Sequence, residues 1–537
     1  MKTNSHNLSK DSKEPLEVWA GLECTVNRVG DDFFNQCDKS GHYRREGDLE
    51  HFARLNIKKI RYPCLWEVVC QKEEGKYNWS ELDKKLLEFQ RLGLQPIPGL
   101  LHHGSGPSFT SLMDPLFPEK FANYARDFAA RFPWITSYIP IDEMLTTARF
   151  SCLYGHWYPH HQSDGSFARA LVNQVKASVL AMKVIRLINP SALFIQVDDI
   201  GRAQSTERLQ YQATFENHRR WLSFDLICGR VNQGHPLYAY LIEAEIHPEE
   251  LSWFQENPYL PDMIGLNHYL LSNRFLDHRL ELYAPEYHGG NSREAYADLG
   301  AVDLKTVPLI EPEEIFSEAW ERYKIPLAIT EVHGRGHRED QLRWFYQIWQ
   351  SAKNLREQGV DIRAVTAWSL LGNFDWHKLC TVSENFYEPG VFDLRSLEEP
   401  LKPTALSRMI SSLATDQDFT HPVLENPGWW KIDRPPNFLQ INTRAAPLVI
   451  TGGAGTLGQA FAKICERRGI HYVLLQRSEL DVADITSVAE KLNHLRPWAI
   501  INTAGYANVD LAEINAAQCF RVNTEGSGIL AEYCADS

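Results

Sequence analysis

Short apolar runs recur along the chain, each followed by a longer stretch of helical period. Leu16–Leu22, Ile57–Arg61, Gln95–Leu101, Tyr138–Glu143, Leu193–Val197, Met263–Asn267, Pro326–Glu331 and Ala364–Ser369 have the length and composition of strands buried on both faces. Between them apolar residues return at three- and four-residue spacing, as Leu82, Leu86 and Phe89 do before Gly93, a residue suited to closing a helix. Eight strand–helix alternations predict a parallel (β/α)8 TIM barrel over residues 1–415, and the long interval before Met263 leaves room for loop insertions.

From residue 416 to 446 the texture changes to Pro, Asn and Asp without a sustained period, as in His421-Pro422, Asn426-Pro427 and Arg434-Pro435-Pro436, and this stretch is expected to be a linker. Its Trp429-Trp430 pair suits either an aromatic platform for a sugar or, the favoured reading, an apolar anchor pinning the linker to the barrel surface. Beyond it, Leu448-Val449-Ile450 leads into a glycine-rich turn and a helix. That order predicts a partial Rossmann-like doubly wound domain over residues 447–537.

Composition narrows the function classes. With 537 residues, 44% of them hydrophobic, the chain has material for a large core and more than one domain. A net charge of −14 argues against a nucleic-acid footprint. Met1 to Glu14 is polar with no apolar leader core, and no later run has the apolar length that spans a bilayer, so no membrane partner is expected. The ten cysteines show no C-x-x-C pair, which predicts free thiols and a cytoplasmic location.

The candidate chemistry lies at the ends of two predicted strands. Glu143 closes Tyr138-Ile139-Pro140-Ile141-Asp142-Glu143, and Glu331 closes Pro326-Leu327-Ala328-Ile329-Thr330-Glu331. Carboxylates at strand tips are how a barrel presents an acid and a nucleophile to a glycosidic bond. Taken alone, a buried Glu is as readily a salt-bridged core residue. The surrounding strings carry more. Pro140-Ile141-Asp142-Glu143-Met144, Ile329-Thr330-Glu331-Val332-His333-Gly334, Ile60-Arg61-Tyr62-Pro63, Gly265-Leu266-Asn267-His268-Tyr269 and Trp368-Ser369-Leu370-Leu371-Gly372-Asn373-Phe374-Asp375-Trp376 occur in order, each at a strand end. Residues 16 to 410 thereby resemble glycoside hydrolase family one, the retaining β-glycosidases.

The resemblance implies a double displacement with carboxyl groups about 5–5.5 Å apart. Glu331 would be the nucleophile and Glu143 the acid/base, with Arg61 holding Glu331 ionised, Tyr269 donating a hydrogen bond to it and Asn267 orienting the group. It further implies sugar contacts from His102, Trp368, Asp375 and Trp376, and from Asn27, or less favourably Glu23, near the family's early glutamine. The substrate would be a small carbohydrate, and hydrolysis would need no cofactor. Three departures touch the glycone: Asp142 stands where the family has Asn, Asp375 where it has Glu, and His103-Gly104 where it has Trp-Asp. His102-His103 as a metal pair, and His156 with His160 as a helical zinc site, each lack a third ligand at recognisable spacing, so no metal is expected.

The C-terminal segment resembles the start of an extended short-chain dehydrogenase of the dTDP-4-dehydrorhamnose reductase kind. Thr451-Gly452-Gly453-Ala454-Gly455-Thr456-Leu457-Gly458 matches T-G-x-x-G-x-x-G, Leu480 to Asp484 and Asn502 to Tyr506 match later segments, and Asn523 follows a V-N pattern. Gly452, Gly455, Thr456, Leu457 and Gly458 would cradle a pyrophosphate at a helix N-terminus. No acidic residue closes Tyr472–Leu475, whereas Arg477 stands just beyond, which suits a 2′-phosphate and hence weak binding of NADP. The class's Tyr-x-x-x-Lys pair is not in the sequence, so the segment is expected to be half a reductase. Three readings compete: a retaining β-glycosidase, a sugar-nucleotide reductase fusion, and a non-catalytic carbohydrate-binding barrel.

Overall fold

The computed structural model describes residues 15–334, 337–394, 400–431, 446–468 and 470–536. The polar stretch 1–14 and the Arg434-Pro435-Pro436 string lie outside the described residues. Two compact units divide the chain, Met1–Asp418 and Phe419–Ser537.

The first unit is built on a closed parallel barrel. Its strands are β1 (Glu17–Gly21), β2 (Lys59–Pro63), β3 (Gln95–His102), β4 (Ser137–Asp142), β5 (Leu193–Asp199), β6 (Met263–Asn267), β7 (Leu327–Val332) and β8 (Ile362–Ala367), each paired with its neighbours in chain order. The (β/α)8 expectation holds because every strand is apolar enough to be buried on both faces. Trp19, Ile97, Ile139, Ile195, Val197, Ala328 and Ala364 fill one interior cluster drawn from six strands. Each larger side chain buried there contributes about 1.5–3 kcal/mol. That packed floor leaves the C-terminal strand ends to carry polar groups.

Helices cover the outside. Helix α1 (Ser80–Leu92) buries Leu82, Leu86 and Phe89 on one face and stops at Gly93, whose φ of 67° is the left-handed conformation that favours glycine. Short α2 (Met144–Ala148) starts directly after β4, and α3 (Asp164–Ile188) returns to β5. The interval before Met263 holds helices Gln210–Arg219, Leu222–Ile227 and Pro248–Glu256. A second excursion follows β6, where Arg274–Asp277 pairs antiparallel with Ala295–Gly300 and parallel with Ala203–Ser205. Helix α4 (Arg338–Glu357) precedes β8, and α5 (Ala405–Leu413) follows it.

The second unit carries a three-stranded parallel sheet with β9 (Leu448–Ile450) between β10 (Tyr472–Leu474) and β11 (Ala499–Ile501). Helices α6 (Thr456–Arg468) and α7 (Ile485–Leu495) make the crossovers, giving the partial doubly wound unit the sequence predicts. Val449, Leu480, Val482, Val488 and Leu492 form its core. Trp429 and Trp430 belong to this unit, their rings 6.0 Å apart and nearly perpendicular. Among the described residues no helix is long and apolar enough to cross a membrane.

Candidate active site

Parallel register assembles the site. His102 of β3 lies opposite Asp142 of β4, Asn267 of β6 opposite Glu331 of β7, and Gly21 of β1 opposite Arg61 of β2. Glu143 follows the last residue of β4 with φ 43° and ψ 58°. A left-handed conformation at a non-glycine residue costs about 1–3 kcal/mol and persists only where neighbours hold it. Here Glu143 N donates to Val197 O (3.2 Å) and Glu143 O accepts from Thr147 N (2.9 Å), so strand β5 and helix α2 grip the residue from both sides. Asp198 of β5 reinforces the turn by accepting from Leu145 N (3.3 Å) and Ser223 Oγ (2.5 Å).

One guanidinium joins the carboxyl groups. Arg61 Nη1 donates to Glu331 Oε1 (2.8 Å) and Thr330 O (2.6 Å), while Nη2 donates to Asp142 Oδ1 (2.6 Å). Its carbon also lies 4.5 Å from the Trp368 ring centre, in cation–π range. The Tyr269 hydroxyl donates to Glu331 Oε2. Asn267 Nδ2 donates to Glu143 Oε1 (2.7 Å), and Asn267 Oδ1 accepts from Thr330 Oγ1 (2.8 Å). Glu331 therefore has a cationic and a neutral donor. Among the described residues, the side-chain hydrogen bonds to Glu143 come from neutral groups, Asn267 and Thr146.

These environments set the proton distribution. Burial raises the carboxyls of Asp142, Glu143 and Glu331, Asp142 to about 7, and Arg61 opposes the rise at each. At Glu331 burial outweighs the lowering by Arg61, whose charge is shared among three carboxyls. By hydrogen bonding Glu331, which takes both Arg61 and Tyr269, is the better supported site for negative charge, whereas burial raises its carboxyl further than that of Glu143. Asp199 is pushed up to about 6 by burial and by nearby Glu143. Burial also drives His102 and His103 toward the neutral form, His103 to about 4.

The remaining sequence-derived residues fall unevenly. His102 stacks on Trp368 with ring centres 5.6 Å apart, and its Nδ1 is 3.3 Å from Asp142 Oδ2. Trp376 meets His103 edge-on at 5.5 Å. Asn27 sits in the Val26–Val29 and Asp32–Asn35 hairpin, where its Nδ2 donates to Cys380 O (3.0 Å). Glu23 makes the contact with the cluster instead: its Oε2 accepts from Trp368 Nε1 (3.2 Å), and its Oε1 from Thr25 N (2.9 Å). Asp375 is engaged by Lys39 Nζ (2.5 Å) and by the backbone N–H of Glu384 and Phe386. Burial would raise its carboxyl, yet these donors outweigh burial and hold it low, so a sugar hydroxyl there competes with Lys39.

Sequence spacing also hides a third neighbour of the histidine pair. One ligating atom each from His102, His103 and Asp142 lies within 4.8 Å of the others, because β3 and β4 are adjacent. His160 is occupied elsewhere, with Nε2 accepting from Gly30 N (2.9 Å). Nearby Glu67, in the short helix Trp66–Val69 after β2, takes a backbone donor from Gly106 (3.3 Å), and burial pushes its carboxyl up to about 8. An acid whose folded pKa lies above its unfolded value contributes full stability below the unfolded pKa and loses it as pH rises toward about 8. Glu67→Gln should therefore raise the melting temperature at about pH 9, by an amount worth on the order of 3 kcal/mol, with the difference gone by about pH 4.

In the second unit the glycines form a cradle at the start of α6. Gly452 has φ of 72°, and a Cβ there would lie 2.6 Å from the Thr503 carbonyl. A Cβ on Gly458 would come within 2.6 Å of Gly452 O. Gly455, Thr456 and Leu457 lie in the same turn, with Gly455 N donating to Gly452 O (2.9 Å). Arg477, 67% exposed at its side chain, reaches Asp481 at only 3.4 Å and stays available beside β10. Gly452→Ala should destabilise this unit by about 1–3 kcal/mol, through its positive φ and the clash with Thr503. Differential scanning calorimetry should show its transition shifting alone.

Fold and site together define a (β/α)8 barrel with two carboxyl groups at its strand ends, followed by a smaller α/β unit with a glycine-rich turn. The barrel matches family 1 β-glucosidases in fold and more weakly in sequence. It is similar to the β-glucosidase from Thermotoga maritima in complex with deoxynojirimycin, with a TM-score of 0.60, 17% identity, and coverage of 77% of this chain and 100% of that one. Beta-glucosidase A of Thermotoga maritima is 24% identical over 400 residues, 67% of this chain and 84% of that protein. Residues 446–537 match the family described as RmlD substrate binding domain. The dTDP-4-dehydrorhamnose reductase of Aggregatibacter actinomycetemcomitans is 40% identical over 88 residues, 16% of this chain and 30% of that protein. The chain thus spans about a third or less of the length of such reductases.

Proposed function

We propose that the barrel is a retaining β-glycosidase acting on a small carbohydrate. The observation that carries the reading is the unequal pair: Glu331 bonded by Arg61 and Tyr269, Glu143 bonded by Asn267. In the first step a Glu331 oxygen bonds to the anomeric carbon as the bond to the leaving oxygen breaks, and Glu143 gives that oxygen its proton. In the second, Glu143 takes a proton from water, whose oxygen displaces Glu331 and regenerates both carboxyls. Hydrolysis of 4-nitrophenyl β-glycosides, with the first-formed anomer read by proton NMR, tests this. Retained β-product supports it; inverted product or no turnover of any glycoside counts against it. Free cysteines and an acidic chain fit a reducing, cytoplasmic setting without nucleic-acid partners.

Asp142 tunes the acid. Glu143 raises the carboxyl of Asp142, and the coupling is mutual, so a charged Asp142 keeps Glu143 protonated to higher pH. Asp142→Asn should move the alkaline limb of kcat/KM to lower pH. An unmoved limb would show that Asp142 does not act on the acid.

For the second unit, the reading is NADP binding by the Gly452–Gly458 turn, with Arg477 toward the 2′-phosphate. The glycine cradle fits a pyrophosphate, and Arg477 has little competing for it. A bound nicotinamide would supply hydride chemistry. Arg477→Ala should weaken NADPH, but not NADH, in a fluorescence titration.

A further inference from the structure

The floor of the site holds more carboxyl groups than cations. Asp142, Glu143, Glu331 and Glu23 are all buried, and Arg61 is the guanidinium hydrogen-bonded among them, with Arg149 also acting on Glu143. His102 and His103 add no charge, since burial keeps them neutral. Among the described residues of this cluster, two buried side-chain atoms have no hydrogen-bond partner: Asp142 Oδ2 and His102 Nε2. With His102 Nδ1 facing Asp142 Oδ2 at 3.3 Å, the proton of the neutral ring belongs on Nδ1, and Nε2 is left as an acceptor. His102 Nε2 is therefore without a donor, and Asp142 Oδ2, which Nδ1 approaches at 3.3 Å without hydrogen-bond geometry, has room for one.

The place of these atoms says which part of a sugar they meet. Arg61 bonds Asp142 and Glu331 at once, so Asp142 stands beside the nucleophile. The anomeric carbon has two ring neighbours, the ring oxygen, which has no proton to give, and C2. Of these two neighbours, the C2 substituent is the one with a donor to offer Asp142. Resting on the glycosidase reading, we propose that the glycone is a 2-amino-2-deoxy sugar with a free amine, whose C2 ammonium donates to Asp142 Oδ2 and His102 Nε2. An ammonium has three donors and no acceptor, and it returns to the cluster the positive charge it lacks. A C2 hydroxyl has one donor for two acceptors, and an acetamido group replaces the charge with bulk.

Calorimetric titration of the full chain at about pH 7 with methyl 2-amino-2-deoxy-β-D-glucoside and methyl β-D-glucoside should show the amine binding about tenfold tighter, the worth of a charge-assisted bond. The 4-nitrophenyl glycosides should show the same order in kcat/KM. Asp142→Asn should abolish or reverse the preference in both assays. Equal or weaker binding of the amine, or a preference that survives Asp142→Asn, overturns the proposal. So does micromolar Zn2+ binding that Asp142→Asn removes, with EDTA raising activity, since that would give these atoms to a cation. Turnover of the glucoside that depends on Glu331, without amine preference, would sink this proposal and leave the glycosidase reading standing. Absence of all glycoside turnover would strike the glycosidase reading, and the titration would still decide the C2 group.

Discussion

Glu331→Ala should lower turnover of every β-glycoside by at least about 10⁴-fold, because the proposed double displacement needs its carboxylate to bond to the anomeric carbon. Glu143→Ala should behave differently. With 4-nitrophenyl or 2,4-dinitrophenyl leaving groups, which depart without a proton, it should keep most of the bond-breaking step. With alkyl glycosides or disaccharides it should lose about 10²–10⁴-fold. The asymmetry follows from the two environments: Arg61 and Tyr269 donate to Glu331, whereas burial raises the carboxyl of Glu143 against the smaller lowering by Asn267 and Thr146. Steady-state kinetics across a leaving-group series read the difference. Equal losses on both substrate types would show that the two glutamates do not have these separate roles.

Arg61→Met should be the most damaging change to stability in the site. It leaves Asp142 and Glu331 buried without their cation, and breaking a buried pair on one side costs about 3–5 kcal/mol. The sign of the pH dependence is fixed by the raised pKa values of both carboxyls. Without Arg61 they rise further, so the variant's stability is fullest at low pH, where both are protonated, and is lost as pH rises through their folded pKa values. Urea denaturation at about pH 5 and about pH 8 should show a deficit that widens with pH. A deficit that stays constant would assign the loss to packing against Trp368, which the guanidinium also covers.

The barrel was legible because its signal is local. A run such as Pro326–Ile329 is apolar throughout, as a strand covered on both faces must be, and Gly93 ends its helix by conformation alone. Glu143 and Glu331 stand out for the same reason, each a charge placed at the end of an apolar run. What escaped is what depends on pairing across the barrel. Lys39 and Asp375 are far apart in sequence, so nothing local shows that this carboxylate is already engaged. Asn27 and Glu23 are four residues apart on one short segment. Only the fold shows that the hairpin turns Asn27 toward Cys380 while Glu23 reaches Trp368. Asp198 and Asp199 lie just past the predicted strand Leu193–Val197 and carry no local signal until β5 is seen next to β4, where one braces the turn after Glu143 and the other has its carboxyl raised by burial and by Glu143. The neutral state of His102 and His103 is likewise a consequence of burial, which sequence spacing does not report.

The covalent intermediate is the most direct test of the account. Incubation of the chain with a 2,4-dinitrophenyl 2-deoxy-2-fluoro-β-glycoside, whose fluorine slows both steps while the leaving group favours the first, should accumulate a glycosyl-enzyme. Peptide mass spectrometry should then place one fluorosugar on Glu331, and Glu331→Ala should take none. A label on another residue, or no label from a chain that turns over the parent glycoside, would contradict the double displacement and the role given to Glu331.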